Sequence, residues 1–180
     1  MSTLKTDTIT TVDGTGNITF SRPVTGNGGL GKILAVTQSV KTDTASTTST
    51  SAASTGLEVT TGTLSSGSKV LVQVSAQIGN SAAEQRSHIT LWNGSTQLFL
   101  GDSGTGHQVS AFARSMDTSS IYNISFMYLH DPSATSAQTY TLKYHRSTNT
   151  SYTIYINRGH SEDANSGRCA SSITAMEVSA

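Results

Sequence analysis

Charge is what this sequence has least of. Only 12% of its 180 residues are Asp, Glu, Lys or Arg, and eleven cations balance eleven acids to a formal net charge of zero. Ordinary soluble domains carry about twice that share, ~25%. Without a basic cluster there is nothing to neutralise a run of phosphates, which argues against a nucleic-acid partner. Cysteine is nearly absent: Cys169 stands alone, so no intrachain disulfide and no thiolate cluster can form. The longest apolar runs are four residues, as at Ile33-Leu34-Ala35-Val36, so neither membrane insertion nor a signal-peptide core is expected. Strong apolar residues are scarce too, with Leu, Ile, Val and Phe making 35 of the 180. That is near the level which accompanies disorder when net charge is high. Here net charge is zero and the apolar residues are patterned, so a folded chain with a thin core is expected. What fills the chain instead is hydroxyl: 29 Ser and 29 Thr.

The length suits one compact domain, or one with a small appendage. Ten of the eleven aromatic residues lie between Trp92 and Tyr155, and Phe20 alone precedes them. The first thirty residues hold little that could fill a core. They end in Gly26-Asn27-Gly28-Gly29-Leu30-Gly31, a stretch suited to a turn or joint. The chain is therefore divided into an N-terminal segment, residues 1–31, and a main domain, residues 32–180.

Period-2 patterns recur through the main domain and helical ones do not. In Val70–Ile78 the residues Val70, Val72, Val74, Ala76 and Ile78 line one face, with Gln73, Ser75 and Gln77 opposite, which is a half-buried strand. Further strands are expected at Lys32–Val40, Leu57–Thr60, Ser87–Trp92, Thr96–Leu100, Val109–Ala113, Ile121–Leu129, Thr139–His145, Tyr152–Asn157 and Ser172–Val178. A helical turn is allowed only at Ala82–Arg86. Around ten short strands separated by Gly, Asn, Asp and Ser clusters predict an all-β fold, an antiparallel β-sandwich or jelly roll.

Asn93-Gly94 reads as a two-residue type I′ turn, pairing Trp92 with Ser95, Ile89 with Leu98 and His88 with Phe99. Ile89, Leu91, Leu98 and Leu100 then point one way, and His88, Trp92 and Phe99 the other. Strand Ile121–Leu129 is apolar on both faces as well, with Tyr122, Ile124, Phe126 and Tyr128 opposite Ile121, Met127 and Leu129. In a monomeric sandwich the outer face is polar, so a second apolar face points to burial against another subunit. His88, Trp92, Phe99, Tyr122, Phe126 and Tyr128 are the candidate interface residues. A loop folded over the face is the competing explanation.

Chemical motifs are weak. Gly26-x-Gly28-x-x-Gly31 has the dinucleotide-binding spacing, but a strand pattern follows it where a helix is required, and the next acid is Asp43. Gly101-Asp102-Ser103-Gly104 follows His88 in the order of a serine-protease base and nucleophile, yet no Asp lies between to orient the base, so it reads as a turn. His107, His130, His145 and His160 lack the short spacings of a zinc site. The loop 157–168 holds His160, Glu162 and Asp163, and solvation is its ordinary explanation. No catalytic residue, metal or cofactor is expected.

The opening Met1-Ser-Thr-Leu-Lys-Thr-Asp-Thr-Ile-Thr-Thr and Asn17-Ile-Thr-Phe20 resemble the beginnings of virion fibre and appendage proteins of tailed bacteriophages, especially those of cyanobacteria and marine bacteria. Lys32-Ile-Leu-Ala-Val-Thr-Gln-Ser-Val-Lys-Thr-Asp-Thr and Gly67-Ser-Lys-Val-Leu-Val-Gln-Val-Ser look like the start of their terminal β domain, and Ser171-Ser-Ile-Thr-Ala-Met-Glu-Val178 like its last strand. The resemblance implies a non-enzymatic virion protein. It would be a homotrimer of jelly-roll heads, of the general shape of the tumour-necrosis-factor and complement-C1q class. The N-terminal segment, through Leu4, Ile9, Ile18 and Phe20, would attach to another virion protein. Polar tips at Asp102 and His107, at His130 and Asp131, and at His160 and Asp163 would face a host-surface glycan or protein. Decoration of the capsid is the alternative placement.

Overall fold

In the computed structural model, the structure describes residues 32–148, 151–162, 164 and 166–180. The N-terminal segment, with Leu4, Ile9, Ile18, Phe20 and the glycine-rich joint, lies outside the described residues, as does Asp163. Eleven strands are present: β1 Ile33–Lys41, β2 Ala45–Thr47, β3 Ala53–Thr60, β4 Lys69–Asn80, β5 Arg86–Asn93, β6 Thr96–Leu98, β7 Ala111–Arg114, β8 Ile121–His130, β9 Thr139–Arg146, β10 Ile154–Ile156 and β11 Ser171–Val178. No helix occurs among the described residues. Where a helical turn was allowed, the chain makes a bend with Glu84 at φ 62°, and β5 begins at Arg86.

The strands form two antiparallel sheets. In the first, β4 is central. β8 pairs with it from Val70 to Gly79, while β11 and then β10 share its other edge, flanked in turn by β1 and β2. In the second, β5 is central, with β9 and then β3 on one side and β7 and β6 on the other. Treating β6 and β7 as one row, first pairs with last: β1 with β11, β3 with β9, β4 with β8, β5 with β6 and β7. This nested pairing is the jelly roll.

The core lies between the sheets. Val70, Val72, Val74, Ala76 and Ile78 of β4, the set read from the alternation, are fully buried. They face Leu57, Ile89, Leu91, Tyr140, Leu142 and Tyr144 of the second sheet within one hydrophobic cluster. Each such aliphatic side chain contributes about 1.5–3 kcal/mol by leaving water. The domain's ends are clipped together: Ser179 N donates to Lys32 O (2.8 Å) and Lys32 N to Ser179 Oγ (2.9 Å), beyond the β1 and β11 ladder.

The β5 and β6 register differs from the sequence reading. Leu91 pairs with Leu98, Trp92 with Gln97 and Asn93 with Thr96, so the two-residue loop is Gly94-Ser95, with Gly94 at φ 56°. Glycine in the first central position is the type II′ pattern. Asn93 stays in the ladder because it pairs with Tyr140 of β9 and its side-chain amide donates to Thr139 O (3.1 Å). The shift is two residues, so the faces survive but the pairing of His88 with Phe99 does not. His88 instead sits between Phe112 of β7 and His145 of β9.

Candidate assembly face and loop sites

The outer face of the first sheet can be read row by row from its register. Val36, Met176, Leu71 and Leu129 form one row across all four strands, and Gln38, Thr174, Gln73 and Met127 the next. A third row, Val40, Ser172, Ser75 and Ser125, is mostly hydroxyl. Polar members tie to one another, Gln38 Nε2 to Thr174 Oγ1 and Asn123 Nδ2 to Ser75 Oγ. The apolar members have no such partners: Val36 is 60% exposed, Met127 59% and Leu129 48%, with Leu71 and Met176 half-buried. An apolar band thus crosses one end of the sheet.

The other end of the same face is covered by the chain itself. Gly79, on the outer side of β4, lies under the Arg158 carbonyl, and Gly159 in turn lies against Ser119. His160 N donates to Thr118 O (3.0 Å), holding the loop down. Beneath it, the Tyr155 ring lies under the Arg158 guanidinium at 3.9 Å, and its hydroxyl meets His160 Nδ1 at 3.0 Å. The anchor is Asn157, fully buried with φ 66°. Its side-chain amide donates to Lys41 O and Asp43 O, both at 2.8 Å, and its Oδ1 accepts from Ser171 Oγ at 2.5 Å.

None of the six residues read as an interface lies on this band. Tyr122, Phe126 and Tyr128 pack inward against the core at the edge strand β8, because Ile124 between them belongs to the core. The side of β8 that faces out carries Met127 and Leu129. Phe99 leaves β6 in the left-handed region, φ 52°, stacks on Phe126 (5.4 Å between centroids) and tilts against Tyr128 (5.5 Å). Trp92 lies along the second sheet's outer face, donating Nε1–H to Thr90 Oγ1 (2.8 Å), with Lys143 Nζ 3.9 Å from its ring. His88 is only 4% exposed and is buried within this chain.

The polar tips do not share one pole. His130 is the last residue of β8, paired with Val70, and Asp131 follows it. His160 sits over the Gly79 end, nine residues along β4, roughly 30 Å away. His130 Nδ1 meets the buried Tyr140 hydroxyl at 2.9 Å, and burial pushes the His130 pKa down. Asp131 accepts from Ser133 N (3.0 Å). Asp102 accepts from Ser103 N (2.7 Å), so the serine of the protease-like motif sits in an exposed turn. A cleft of about 210 Å³ lined by Arg158, Ser161, Glu162 and Arg168 carries no uncommitted charge in its arginines: Glu162 engages Arg168 at 2.6 Å and Arg158 at 3.5 Å.

One constellation was not visible in the sequence. His88 of β5, His145 of β9 and His107 of the β6 to β7 loop lie ring against ring, with centroids 4.5, 4.9 and 5.5 Å apart. Phe112 adds a fourth ring, 5.5 Å from His88. Residues 88, 107 and 145 have no common spacing; only the β5 and β9 register and the folding back of the loop unite them. Burial first, and then the like charges of His145, His107 and Arg86, push the His88 pKa down to about 4. Burial and then His107 lower that of His145. Nδ1 of His88 and of His145 are buried with no hydrogen-bond partner among the described residues. The rings stack or tilt against one another, and among the described residues no three His, Cys, Asp or Glu side chains are placed to hold a metal ion.

No family model matches this sequence, and no curated protein matches it.

Proposed function

We propose that the chain is a non-enzymatic structural protein of a tailed-phage virion, a short homotrimeric appendage on the particle surface. The observation that carries this reading is the uncovered apolar band of Val36, Leu71, Met127, Leu129 and Met176 across a sheet whose other end the chain seals for itself. A monomer gains nothing by leaving such a band in water, whereas burial against a second copy stabilises both. The band argues for association of copies; three of them, closed in a ring, is what the resemblance to phage appendage proteins adds, since a single band could equally close a two-fold pair. The resemblance of residues 1–20, 32–44, 67–75 and 171–178 to phage appendage proteins supplies the biological setting. The N-terminal segment is assigned to another virion protein, and the exposed loops to the host surface.

Two measurements test this. Light scattering of the purified chain at micromolar concentration is expected to give three times the protomer mass; a stable monomer sinks the assembly reading. Antibody labelling of intact particles is expected to place the chain at the tail. Label over the capsid shell would favour decoration instead, and no label at all would remove the virion reading.

A further inference from the structure

The loop Gly101–Val109 lies over the outer face of the second sheet and is closed on itself. Gly101 N donates to Val109 O (3.3 Å) and Gln108 Nε2 to Gly101 O (3.1 Å). Its C-terminal end is fixed to β5, since Ser110 N donates to Ile89 O (2.9 Å) and Ser110 Oγ accepts from Leu91 N (2.8 Å). Between these ties residues 101–108 are all exposed. Ring contacts to the sheet come from His107, on His88 and His145.

We propose that this loop is a pH-sensitive latch, docked at neutral pH by His107 on His88 and His145 and released when His88 and His145 take up protons in mildly acidic solution. The groups around the cluster favour release. β5 contributes Arg86 and β9 contributes Lys143, whose ammonium is turned over Trp92. β7 contributes Phe112 and Arg114, the latter ion-paired to Glu84 of the preceding turn. The loop contributes Asp102, which caps Ser103 N. The charges that bear on His88 are those of His145, His107 and Arg86, all of one sign. Protonating His88 and His145, both buried, therefore places like charges at ring-contact distance where water screens them little.

The direction follows from linkage. The docked cluster holds the His88 pKa below the ordinary value of 6.5, chiefly by burial, and lifting the loop returns part of that burial to water, so the released state binds the proton more readily. Proton uptake therefore favours release, and the latch weakens as pH falls from about 6.5 toward 4. Trp92 and its polar neighbours stay in place; what the release uncovers is His88 and His145, beside the already exposed Phe112.

The experiment places a spin label at the loop tip, Thr105→Cys in a Cys169→Ser background of the full chain, and follows its mobility from pH 7.5 to 4.5. The mobile population is expected to rise at least about tenfold across this range, with far-UV circular dichroism unchanged. His107→Gln is expected to leave the label mobile at both pH values. His88→Gln with His145→Gln is expected to remove the pH dependence, and His130→Gln, outside the cluster, to preserve it. A mobility that is flat with pH, that follows global unfolding, that persists unchanged in the His88 and His145 variant, or that responds to zinc and chelator instead of pH would overturn the latch.

Discussion

Gly79 and Arg158 are packed backbone to backbone. A Cβ on Gly79 would collide with the Arg158 carbonyl oxygen and come within 3.0 Å of Gly159 Cα. The loop after β10 can cross the central strand only because that side chain is missing. Gly79→Ala is expected to cost about 2–3 kcal/mol, as overpacking against backbone does. Gly101→Ala, where a Cβ meets nothing within 4 Å, is expected to stay within about 0.5 kcal/mol. Urea unfolding of the two variants checks the contrast, and equal midpoints would show that the crossing is not tight.

Asn157 holds the same crossing by hydrogen bonds. Its amide satisfies two carbonyls of the β1 to β2 corner while its oxygen accepts from Ser171. Asn157→Ala strands those groups and strains a left-handed residue, for a loss of about 3 kcal/mol or more. Asn157→Asp keeps the shape but points a carboxylate at two carbonyl oxygens. It is expected to be at least as unstable at pH 7 and to recover part of the loss on acidification, which a pair of melting curves at pH 7 and 4.5 would reveal.

The assembly reading makes a surface mutation decisive. Leu129→Asp or Met127→Asp changes a side chain that the protomer leaves largely exposed, so the folded protomer loses little. In the trimer the same change buries an unpaired charge, which is strongly unfavourable. Sedimentation is expected to show monomers for either variant and trimers for Gln97→Lys, on the exposed β6 strand of the other sheet.

Acid is expected to weaken the fold through Glu177. The Ser65 amide donates to its Oε1 at 2.7 Å and holds its carboxyl below the ordinary value of 4.5. A depressed folded pKa means that the folded state binds fewer protons, so this stabilisation is complete above about 4.5 and lost as pH falls through the lower folded value. Glu177→Gln is expected to flatten the acid limb of stability below pH 4.5. The slope that remains between pH 6.5 and 4 then belongs to His88, His145 and His130, the imidazoles whose pKa burial lowers, and a Gln variant with an unchanged acid limb would refute the assignment.

The strands were legible because their alternation is strong. β4 is the clearest case, where every inward residue of Val70–Ile78 is apolar and every one is buried. β2 was missed because Ala45-Ser46-Thr47 carries no pattern; pairing with β10 makes it a strand. The β5 and β6 register slipped because Asn93-Gly94 is a strong local turn signal, and it lost to a tertiary contact, the Asn93 bond to Thr139. Apolar residues on both faces of β8 were correctly seen, but the sequence could not say which face turns inward. Its aromatic side went to the core and Met127 and Leu129 to the surface. The histidine cluster was illegible because it depends on three separate strand and loop placements.

The clip between Lys32 and Ser179 has a mechanical meaning. β1 and β11 lie side by side along their whole length, so both ends of the domain leave from one corner. Tension drawn between those two ends would peel the strands apart bond by bond, the weaker mode of loading. Tension between Lys32 and a contact on the far loops would instead shear the eight residue pairs from Ile33 to Lys41 at once. A domain held at Lys32 and pulled from the opposite loops is therefore loaded along its stronger direction. Joining the two ends by a short linker and opening the chain at Gly104 should leave the fold intact, since nothing crowds that loop tip.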